Sequence, residues 1–424
     1  MKRIIRSRFF KNTSIYTFSD VLNKMVPFIL LPVLTRYLSP SDYGVIALFF
    51  VFTGILGVFM TLELNTAISV NFFKITRDEL KVYIANILII TSIVSCLILL
   101  FFIIFHSYIS KLLALPTEWL FIAIVVTLLQ FFTTINLVLW QSEQNPIPLG
   151  IYQISQTIFN LSLSLILIIG FGMKWEGRLI AVSVTSMGFG ILSFSFLLNR
   201  NYIDFKLDKV YIKNALKFGL PLLPHSLGIW FRTGIDRVFL TMLVSASATG
   251  LYTVGFQIAS VIMVIISAFN KAFTPYLYEQ LKEITAKQKS ILVKYFYFYF
   301  AVLLLLATSL SLIAPYIIDF LLGKKFTESQ NYVTLISFGF AFYGMYSLFV
   351  NYILFTEKTK YLSYITFTAG LLHVGLSYLL ISYNGTIGAA QATAIISFIT
   401  FLFVWWLSQK LNPMPWLGKV KTLK

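Results

Sequence analysis

The sequence predicts an all-α integral membrane protein with about twelve transmembrane helices. Hydrophobic residues fill 58% of the 424 positions and charged residues only 12%, so the chain is far more apolar than a soluble domain. Apolar runs of about 20 residues, the length that crosses a bilayer as a helix, recur along the whole sequence. No polar stretch is long enough to fold alone, which excludes a separate ATPase or catalytic domain.

The predicted spans fall into two sets of six, on either side of a basic loop. We predict an N-terminal lobe over residues 1–199, a cytoplasmic linker over 200–214 and a C-terminal lobe over 215–424. Short segments recur between the lobes at offsets of 206 to 211 residues, as in Leu38–Gly44 and its counterpart Val244–Gly250. The two lobes are therefore predicted to be repeats related by an axis along the membrane normal. The spans are predicted at 12–38, 43–70, 82–106, 119–142, 148–171, 178–198, 215–243, 249–276, 291–314, 330–355, 361–383 and 386–409.

The positions of the basic residues predict the orientation of the chain. Loops on the side of the N-terminus carry 23 Lys and Arg residues, and loops on the opposite side carry 5. Because cytoplasmic loops hold the excess of basic residues, both termini are predicted to be cytoplasmic. The same rule accounts for the net charge of +17 without a nucleic-acid partner. The basic N-terminus is expected to remain uncleaved, and the single Cys96 excludes a disulfide within the chain.

The seventh predicted span carries more charge than a lipid-facing helix tolerates. At about 100° per residue, His225, Arg232 and Asp236 fall within about 40° of one another, and Arg237 follows directly. Charged side chains at membrane depth face a bundle interior, a partner or a wet cavity. Either Arg232 and Asp236 form a structural ion pair, or this face lines a transport path in which Asp236 orients Arg232.

The first span of the other half has a similar polar face. Asp20, Asn23 and Lys24 lie together on it, and the i,i+4 spacing of Asp20 and Lys24 suits an ion pair. Prolines follow in this span, as they precede the charges of the seventh, and such residues can act as hinges. These features again leave a structural pair and a transport site as alternatives.

The second and eighth spans add a further pair of candidate positions. Glu63 shares a predicted helical face with Phe52 and Phe59, and Gln257 shares a face with Lys271 in the eighth span. Under the repeat, Glu63 and Lys271 lie at similar depth, toward the cytoplasmic side. Glu63 is therefore a candidate proton or cation site, or the partner of Lys271; an interfacial pair with no further role is the alternative.

Motifs for chemistry on a substrate are missing from the sequence. Three scattered histidines and one cysteine provide no metal-site spacing. The chain has no phosphate-binding loop of the Walker type and no nucleophile elbow. We therefore expect neither a metal nor a cofactor, and we expect a protein that is not an enzyme.

The turn Tyr37–Gly44, which reads YLSPSDYG, carries a resemblance to a known family. Together with the chain length, the two six-helix halves and the positions of Glu143 and Glu357, it resembles the Wzx-type flippases for O-antigen and exopolysaccharide. These belong to the polysaccharide transporter family of the MATE-like MOP superfamily. The resemblance covers essentially the whole chain and implies two lobes in a V shape around a central cavity.

The resemblance also implies a substrate and a location. The family flips undecaprenyl-diphosphate-linked oligosaccharide, the repeat unit of O-antigen, capsule or exopolysaccharide, from the inner to the outer face of the bacterial inner membrane. The implied partners are the lipid-linked oligosaccharide, the bilayer, and the polysaccharide polymerase with its chain-length machinery. The implied site consists of a cationic cavity for the diphosphate (Lys24, Arg232, Arg237, Lys271), candidate ion-coupling or charge-partner residues (Asp20, Glu63, Asp236) and polar lining residues (Asn23, His225, Gln257).

Two other functions are compatible with a chain of this class. A multidrug or metabolite exporter of the same superfamily would favour acidic residues for cationic drugs, whereas the spans here hold five basic and three acidic residues. A membrane-embedded polysaccharide polymerase would need a sizeable outer loop or a catalytic cluster, and the predicted outer loops are short.

Overall fold

The structure, a computed structural model, describes residues 25–26, 28–282, 284–355, 359–411 and 413–416. These residues are almost entirely helical, and no strand occurs among them. Within the same ranges, ten helices are long and apolar enough to cross a membrane. The prediction of an all-α, multi-pass membrane protein is therefore confirmed.

The two predicted spans that are not among these ten are the first span of each half. From the first, the structure describes the ten-residue apolar helix Phe28–Tyr37, while Asp20, Asn23 and Lys24 lie outside the described residues. The seventh forms the helix Leu223–Leu243, which carries three charged residues and is correspondingly less apolar. The other ten predicted spans each correspond to one of these helices, and the two first spans account for the difference between ten helices and the predicted twelve.

The first compact unit ends at Trp230, within the seventh predicted span. Its helices α5 and α7 pack against each other, and α2 packs on α5. A core of Leu, Ile, Ala and aromatic side chains joins α3, α4, α5 and α8. The helices are α1 (Phe28–Tyr37), α2 (Pro40–Thr61), α3 (Leu64–Asn71), α4 (Arg77–Leu113), α5 (Thr117–Ser142), α6 (Pro146–Leu165, continued by a π-helical turn at Ile166–Gly170), α7 (Trp175–Asn199) and α8 (Lys209–Gly219).

The second compact unit begins at Phe231. Its central helix is α13, which packs on α15, α12 and α10. Helix α9 contains the boundary between the units. The helices are α9 (Leu223–Leu243), α10 (Ala246–Ala259), α11 (Val261–Lys282), α12 (Ala286–Ile317, continued by a π-helical turn at Ile318–Leu322), α13 (Gln330–Phe355, preceded by a 3-10 turn at Lys324–Ser329), α14 (Thr359–Asn384) and α15 (Ile387–Leu411).

The turn that carries the family resemblance is a helix start. Ser39 accepts a hydrogen bond from the backbone N–H of Asp42, and the Asp42 carboxylate accepts one from the Ser39 N–H at 2.8 Å. This reciprocal capping box, with Pro40 in the first turn, begins α2. Ser245, the aligned residue of the second half, caps α10 by accepting from the Ala248 N–H at 3.1 Å. The two aligned serines are therefore both N-cap residues of a helix.

Glu143, another residue of the resemblance, ties together the ends of α5 and α7. Its carboxylate accepts hydrogen bonds from the Arg200 guanidinium and from the Tyr202 hydroxyl. Arg200 also donates to the Asn136 side-chain oxygen at 3.1 Å. Burial raises the pKa of Tyr202 to about 12, so its phenol stays protonated and donates at neutral pH.

The segment after α15 turns back onto the second unit. The Gln409 side-chain amide bonds both backbone groups of Met414 at 3.0 Å and accepts from the Trp416 indole at 2.9 Å. The Trp416 ring stacks on Phe296 of α12, with ring centroids 5.8 Å apart. Lys289 donates to the Pro413 carbonyl at 3.0 Å. These contacts fix the residues that follow α15 against α12.

Candidate functional site

The charged face of α9 is divided between two environments. His225 belongs to the first unit, whereas Arg232, Asp236 and Arg237 belong to the second. The sequence predicted one continuous polar stripe along this helix. In the structure its N-terminal and C-terminal parts bind different helices, so we describe them separately.

In the first unit, the second predicted span is broken beside Glu63. Helix α2 ends at Thr61 and α3 begins at Leu64, because Leu62 and Glu63 both adopt left-handed backbone conformations, with φ of 48° and 58°. Non-glycine residues rarely adopt such angles, so tertiary contacts must hold them there. The predicted face that Glu63 shares with Phe52 and Phe59 is therefore wrong, since Glu63 does not continue their helix.

Contacts from α8 and α9 support this break. The Ser226 hydroxyl donates to the Glu63 carboxylate at 2.6 Å, and His225 lies close enough to Glu63 for an electrostatic interaction. A Cβ atom at Gly219, the end of α8, would lie 2.2 Å from the Leu62 carbonyl oxygen. Glycine is thus needed for this close approach. Glu63 and His225, both predicted site residues, are brought together here.

Asp236 is the centre of a buried polar cluster in the second unit. Its side chain is 2% exposed. One carboxylate oxygen lies 2.5 Å from the Ser377 hydroxyl and 3.0 Å from His373 Nε2. The other accepts from the Tyr252 hydroxyl at 2.9 Å and the Thr393 hydroxyl at 3.2 Å. We call these five residues the Asp236 cluster.

The predicted Arg232–Asp236 ion pair does not form. Side chains of α10, α14 and α15 occupy the Asp236 carboxylate, and those of α14 and α15 lie 137 or more residues away in sequence. Arg232, half-buried at the middle of α9, instead places its guanidinium 5.8 Å over the Tyr343 ring and 3.5 Å from the Ser397 hydroxyl. Among the residues that the structure describes, no carboxylate lies within ion-pair distance of Arg232. The described groups next to its charge are thus an aromatic ring and a hydroxyl.

Arg237 is buried beside the Asp236 cluster. It donates to the Thr233 carbonyl oxygen and lies 3.3 Å from the Thr253 hydroxyl. Its guanidinium also lies 4.4 Å above the Phe256 ring and 5.6 Å above the Tyr252 ring. Cation–π contacts of this kind stabilise a desolvated arginine. Arg237 thus belongs to the packing of α9 on α10, and it is 8% exposed.

The remaining predicted residues are placed as follows. Gln257 is partly buried near the end of α10, where its backbone carbonyl oxygen accepts a hydrogen bond from the Ser260 hydroxyl at 2.7 Å. Lys271 is exposed on α11. Asp20, Asn23 and Lys24 lie outside the described residues. Among the described ranges, no group of three His, Cys, Asp or Glu side chains is placed to hold a metal ion.

The structure adds polar contacts that the sequence reasoning missed. His373, one of the three scattered histidines, is a partner of Asp236. Arg178 lies in α7 and donates to the Asn160 and Ser164 side chains of α6, both at 2.6 Å. The i,i+4 spacing of Asn160 and Ser164, which places both side chains on one face of α6, was a usable signal in the sequence for the contacts of Arg178.

A sequence profile of the family described as "Polysaccharide biosynthesis protein" matches residues 9–281, well over half of the chain. The chain belongs to this family. The expectation drawn from the YLSPSDYG turn is thereby confirmed. One relative is the "Capsular polysaccharide biosynthesis protein CapF" of Staphylococcus aureus, 25% identical over 417 residues, covering 95% of this chain and 99% of the relative.

Further similarities extend over most of the chain. An "Uncharacterized membrane protein" of Haemophilus influenzae is 26% identical over 373 residues, covering 86% of this chain and 88% of the relative. An inward-facing multidrug resistance MATE family transporter of the MOP superfamily superposes with a TM-score of 0.68 at 15% identity, over 92% of this chain and 95% of that one. The lipid II flippase MurJ, in an inward closed conformation, superposes with a TM-score of 0.68 at 16% identity, over 94% of this chain and 87% of that one. The chain therefore has a MATE-like fold.

Proposed function

We propose that this protein flips undecaprenyl-diphosphate-linked oligosaccharide from the inner to the outer face of the bacterial inner membrane by alternating access. The transported glycan is the repeat unit of an O-antigen, a capsule or an exopolysaccharide. Membership of the polysaccharide biosynthesis family and the similarity to MurJ support the class of substrate. In this proposal both termini are cytoplasmic, and the product passes to a polysaccharide polymerase and its chain-length machinery.

The observation that carries the proposal is the environment of Arg232. The guanidinium lies at the middle of a transmembrane helix, and its neighbours within the described part of the chain are aromatic and hydroxyl groups, with no carboxylate at ion-pair distance. A cation at this depth is costly unless a counter-charge approaches it. A diphosphate supplies that counter-charge through paired, charge-assisted hydrogen bonds, for which the planar guanidinium is well suited.

We further propose that Asp236 and His373 form the ion-coupling element of the transport cycle. Asp236 supplies the carboxylate and His373 the imidazole of the Asp236 cluster, and both side chains are buried, with exposed fractions of 2% and 1%. The cluster joins α9, which carries Arg232, to α10, α14 and α15. A proton or a sodium ion arriving at this carboxylate would alter hydrogen bonds on four helices at once. The cluster is thus a suitable place to link an ion gradient to helix movement.

The test is transport in proteoliposomes that contain undecaprenyl-diphosphate-linked oligosaccharide, read out by the access of an added glycosidase to the outer leaflet. Arg232→Ala is expected to lower the transport rate by about tenfold or more, since charge-assisted hydrogen bonds contribute about 1.5–3 kcal/mol. Arg232→Lys keeps the charge without the planar fork, so it should retain part of the activity. Arg36→Ala, an exposed arginine near the end of α1, is the matched control and should transport normally. Unchanged transport by Arg232→Ala would remove Arg232 from the mechanism.

The fold similarity to a multidrug MATE transporter keeps export of cationic compounds as the second candidate function. The same proteoliposomes loaded with a cationic dye separate the two. Dye transport without movement of the lipid-linked glycan would overturn the proposed function. We expect the opposite result, because Glu63 and Asp236, the described acidic candidates, are both bound by neighbouring side chains.

A further inference from the structure

We propose that a cleft within the first unit is a binding site for uncharged sugar rings of the transported glycan. The cleft has a volume of about 350 Å³. Among the residues that the structure describes, thirteen from α2, α5 and α7 line it, and none of these is charged. We call it the uncharged cleft. This inference rests on the proposed function and deepens it, because it assigns a place for the glycan apart from the diphosphate.

The depth of the cleft in the membrane is the first argument. Gln130, which lines it, lies at the middle of α5 (Thr117–Ser142) and is exposed. An exposed amide at the centre of a transmembrane helix is costly against lipid, so polar side chains at this depth face protein or water. Thr53 and Thr61 of α2 line the same space. The uncharged cleft is therefore an aqueous space at membrane depth, as a path for a polar substrate requires.

The chemistry of the lining is the second argument. Thr53 donates to the Phe50 carbonyl at 3.0 Å, and Thr134 donates to the Gln130 carbonyl at 3.1 Å. Their hydroxyl oxygens can still accept hydrogen bonds, while the Gln130 amide offers both donors and acceptors. Sugar hydroxyls are donors and acceptors in the same way. The lining thus matches a ligand that carries many hydroxyl groups and no charge.

An aromatic surface completes the match. Phe50 lines the cleft and is 43% exposed. Aromatic rings pack against the apolar C–H faces of sugar rings, while the hydroxyl groups point sideways to polar partners. The volume lies within the range of sites that hold small molecules. The cleft is accordingly suited to part of an oligosaccharide.

Other ligands fit this cleft less well. A diphosphate or a cationic drug would find no counter-charge among the lining residues that the structure describes. A lipid chain would leave the Thr53, Thr61 and Gln130 polar groups facing hydrocarbon. A neutral, hydroxyl-rich ligand is the class that satisfies the lining without leaving a charge unpaired.

Gly57 offers a direct test. A Cβ atom at Gly57 would meet nothing within 4 Å, so a larger side chain there enters the cleft without disturbing the helix packing. Gly188 of α7 is the matched control: it also has no atom within 4 Å of such a Cβ, and it does not line the cleft. Both substitutions replace glycine by leucine within a helix, so their intrinsic effects on helix stability are similar.

The experiment measures binding of two probes to the full-length protein, undecaprenyl diphosphate and undecaprenyl diphosphate carrying an oligosaccharide. For Gly57→Leu we expect binding of the glycan-bearing probe to weaken by about tenfold, with binding of the sugar-free probe changed less than about twofold. Gly188→Leu should bind both probes as the wild type does. Gln130→Met, which keeps the side-chain length and removes the amide, should weaken binding of the glycan-bearing probe and leave binding of the sugar-free probe unchanged.

The outcomes separate this inference from the proposed function. If the wild type transports the glycan-bearing probe while Gly57→Leu and Gln130→Met bind it normally, the cleft is not the sugar site, and the flippase function stands. If the two variants weaken binding of both probes equally, the cleft does not distinguish the sugar from the undecaprenyl diphosphate, and the inference is overturned. If the wild type neither binds nor transports either probe, the proposed function itself fails.

Discussion

Each unit of the molecule has a buried polar centre, and the two centres differ in charge. In the first unit, the Tyr152 hydroxyl of α6 donates to the Phe189 carbonyl at 2.5 Å and contacts the Ser193 hydroxyl at 2.6 Å and the Thr133 hydroxyl at 3.3 Å. In the second, the Asp236 cluster gathers four side chains around a carboxylate. The first centre is neutral and joins three helices, whereas the second is ionisable and joins four.

The difference indicates which centre is built for a change of state. A neutral hydroxyl network needs few partners, because no charge must be compensated in the low-dielectric interior. A buried carboxylate needs every available donor, and each gain or loss of a cation alters all of them. The neutral centre joins the fourth, fifth and sixth predicted spans of the first half, whereas the Asp236 cluster joins the first, second, fifth and sixth of the second half. The two centres therefore differ both in charge and in the spans that they join.

The largest effect is expected at the charged centre. Asp236→Ala leaves Tyr252, Ser377, Thr393 and His373 without their common acceptor, so it should lower the free energy of unfolding by about 3–5 kcal/mol. Asp236→Asn keeps the shape and part of the hydrogen bonding. We expect it to remain folded while transport loses its response to an imposed proton or sodium gradient. The measurements are chemical denaturation in detergent micelles and gradient-driven transport in proteoliposomes.

For this pair of variants, a carboxamide that still responds to both gradients would remove Asp236 from ion coupling. If Asp236→Ala were as stable as the wild type, the Asp236 cluster would not hold the second unit together. The contrast with the neutral Tyr152 centre would then lose its physical basis.

The membrane class and most spans were predictable because apolar length and amphipathic pattern are local properties of the chain. The break at Leu62–Glu63 was not, because neither residue favours a left-handed backbone, and the contacts that hold it come from Gly219 and Ser226. The partners of Asp236 were hidden for the same reason. His373, Ser377 and Thr393 lie 137, 141 and 157 residues away, whereas Arg232 lies one helical turn away and seemed the natural partner by spacing alone.

A second, smaller effect tests the predicted repeat at the start of the sixth predicted span of each half. The sequence aligns Gly177 of α7 with Gly388 of α15. A Cβ atom at Gly388 would lie 2.2 Å from the Leu380 carbonyl oxygen in the backbone of α14, whereas one at Gly177 would lie 2.7 Å from the Cβ of Met173 in the preceding loop. A helix backbone yields less than a loop. Gly388→Ala should therefore lower the free energy of unfolding by about 2–3 kcal/mol, and Gly177→Ala should lower it by about 1 kcal/mol.

These two substitutions are compared by thermal unfolding of the purified variants in the same detergent. Equal losses of stability would mean that the two helix starts are equally tight, and that the units differ in their polar centres and not in their packing. A larger loss for Gly177→Ala would contradict the geometry of the α14–α15 turn.

The smallest effect compares the two tyrosines directly, because each loses one hydroxyl and keeps its ring. Tyr152→Phe removes neutral contacts between transmembrane helices, which contribute about 0.6 kcal/mol each, so the free energy of unfolding should fall by about 1–2 kcal/mol. Tyr252→Phe removes a donor to a carboxylate and should cost about 1.5–3 kcal/mol, since hydrogen bonds to charged groups are stronger. The Tyr252 ring also lies under the Arg237 guanidinium, and phenylalanine preserves that contact. Chemical denaturation of both variants under identical conditions measures the difference. If Tyr152→Phe cost as much as Tyr252→Phe, the carboxylate would add nothing to the second centre, and Asp236 would be one more polar side chain in a hydroxyl network.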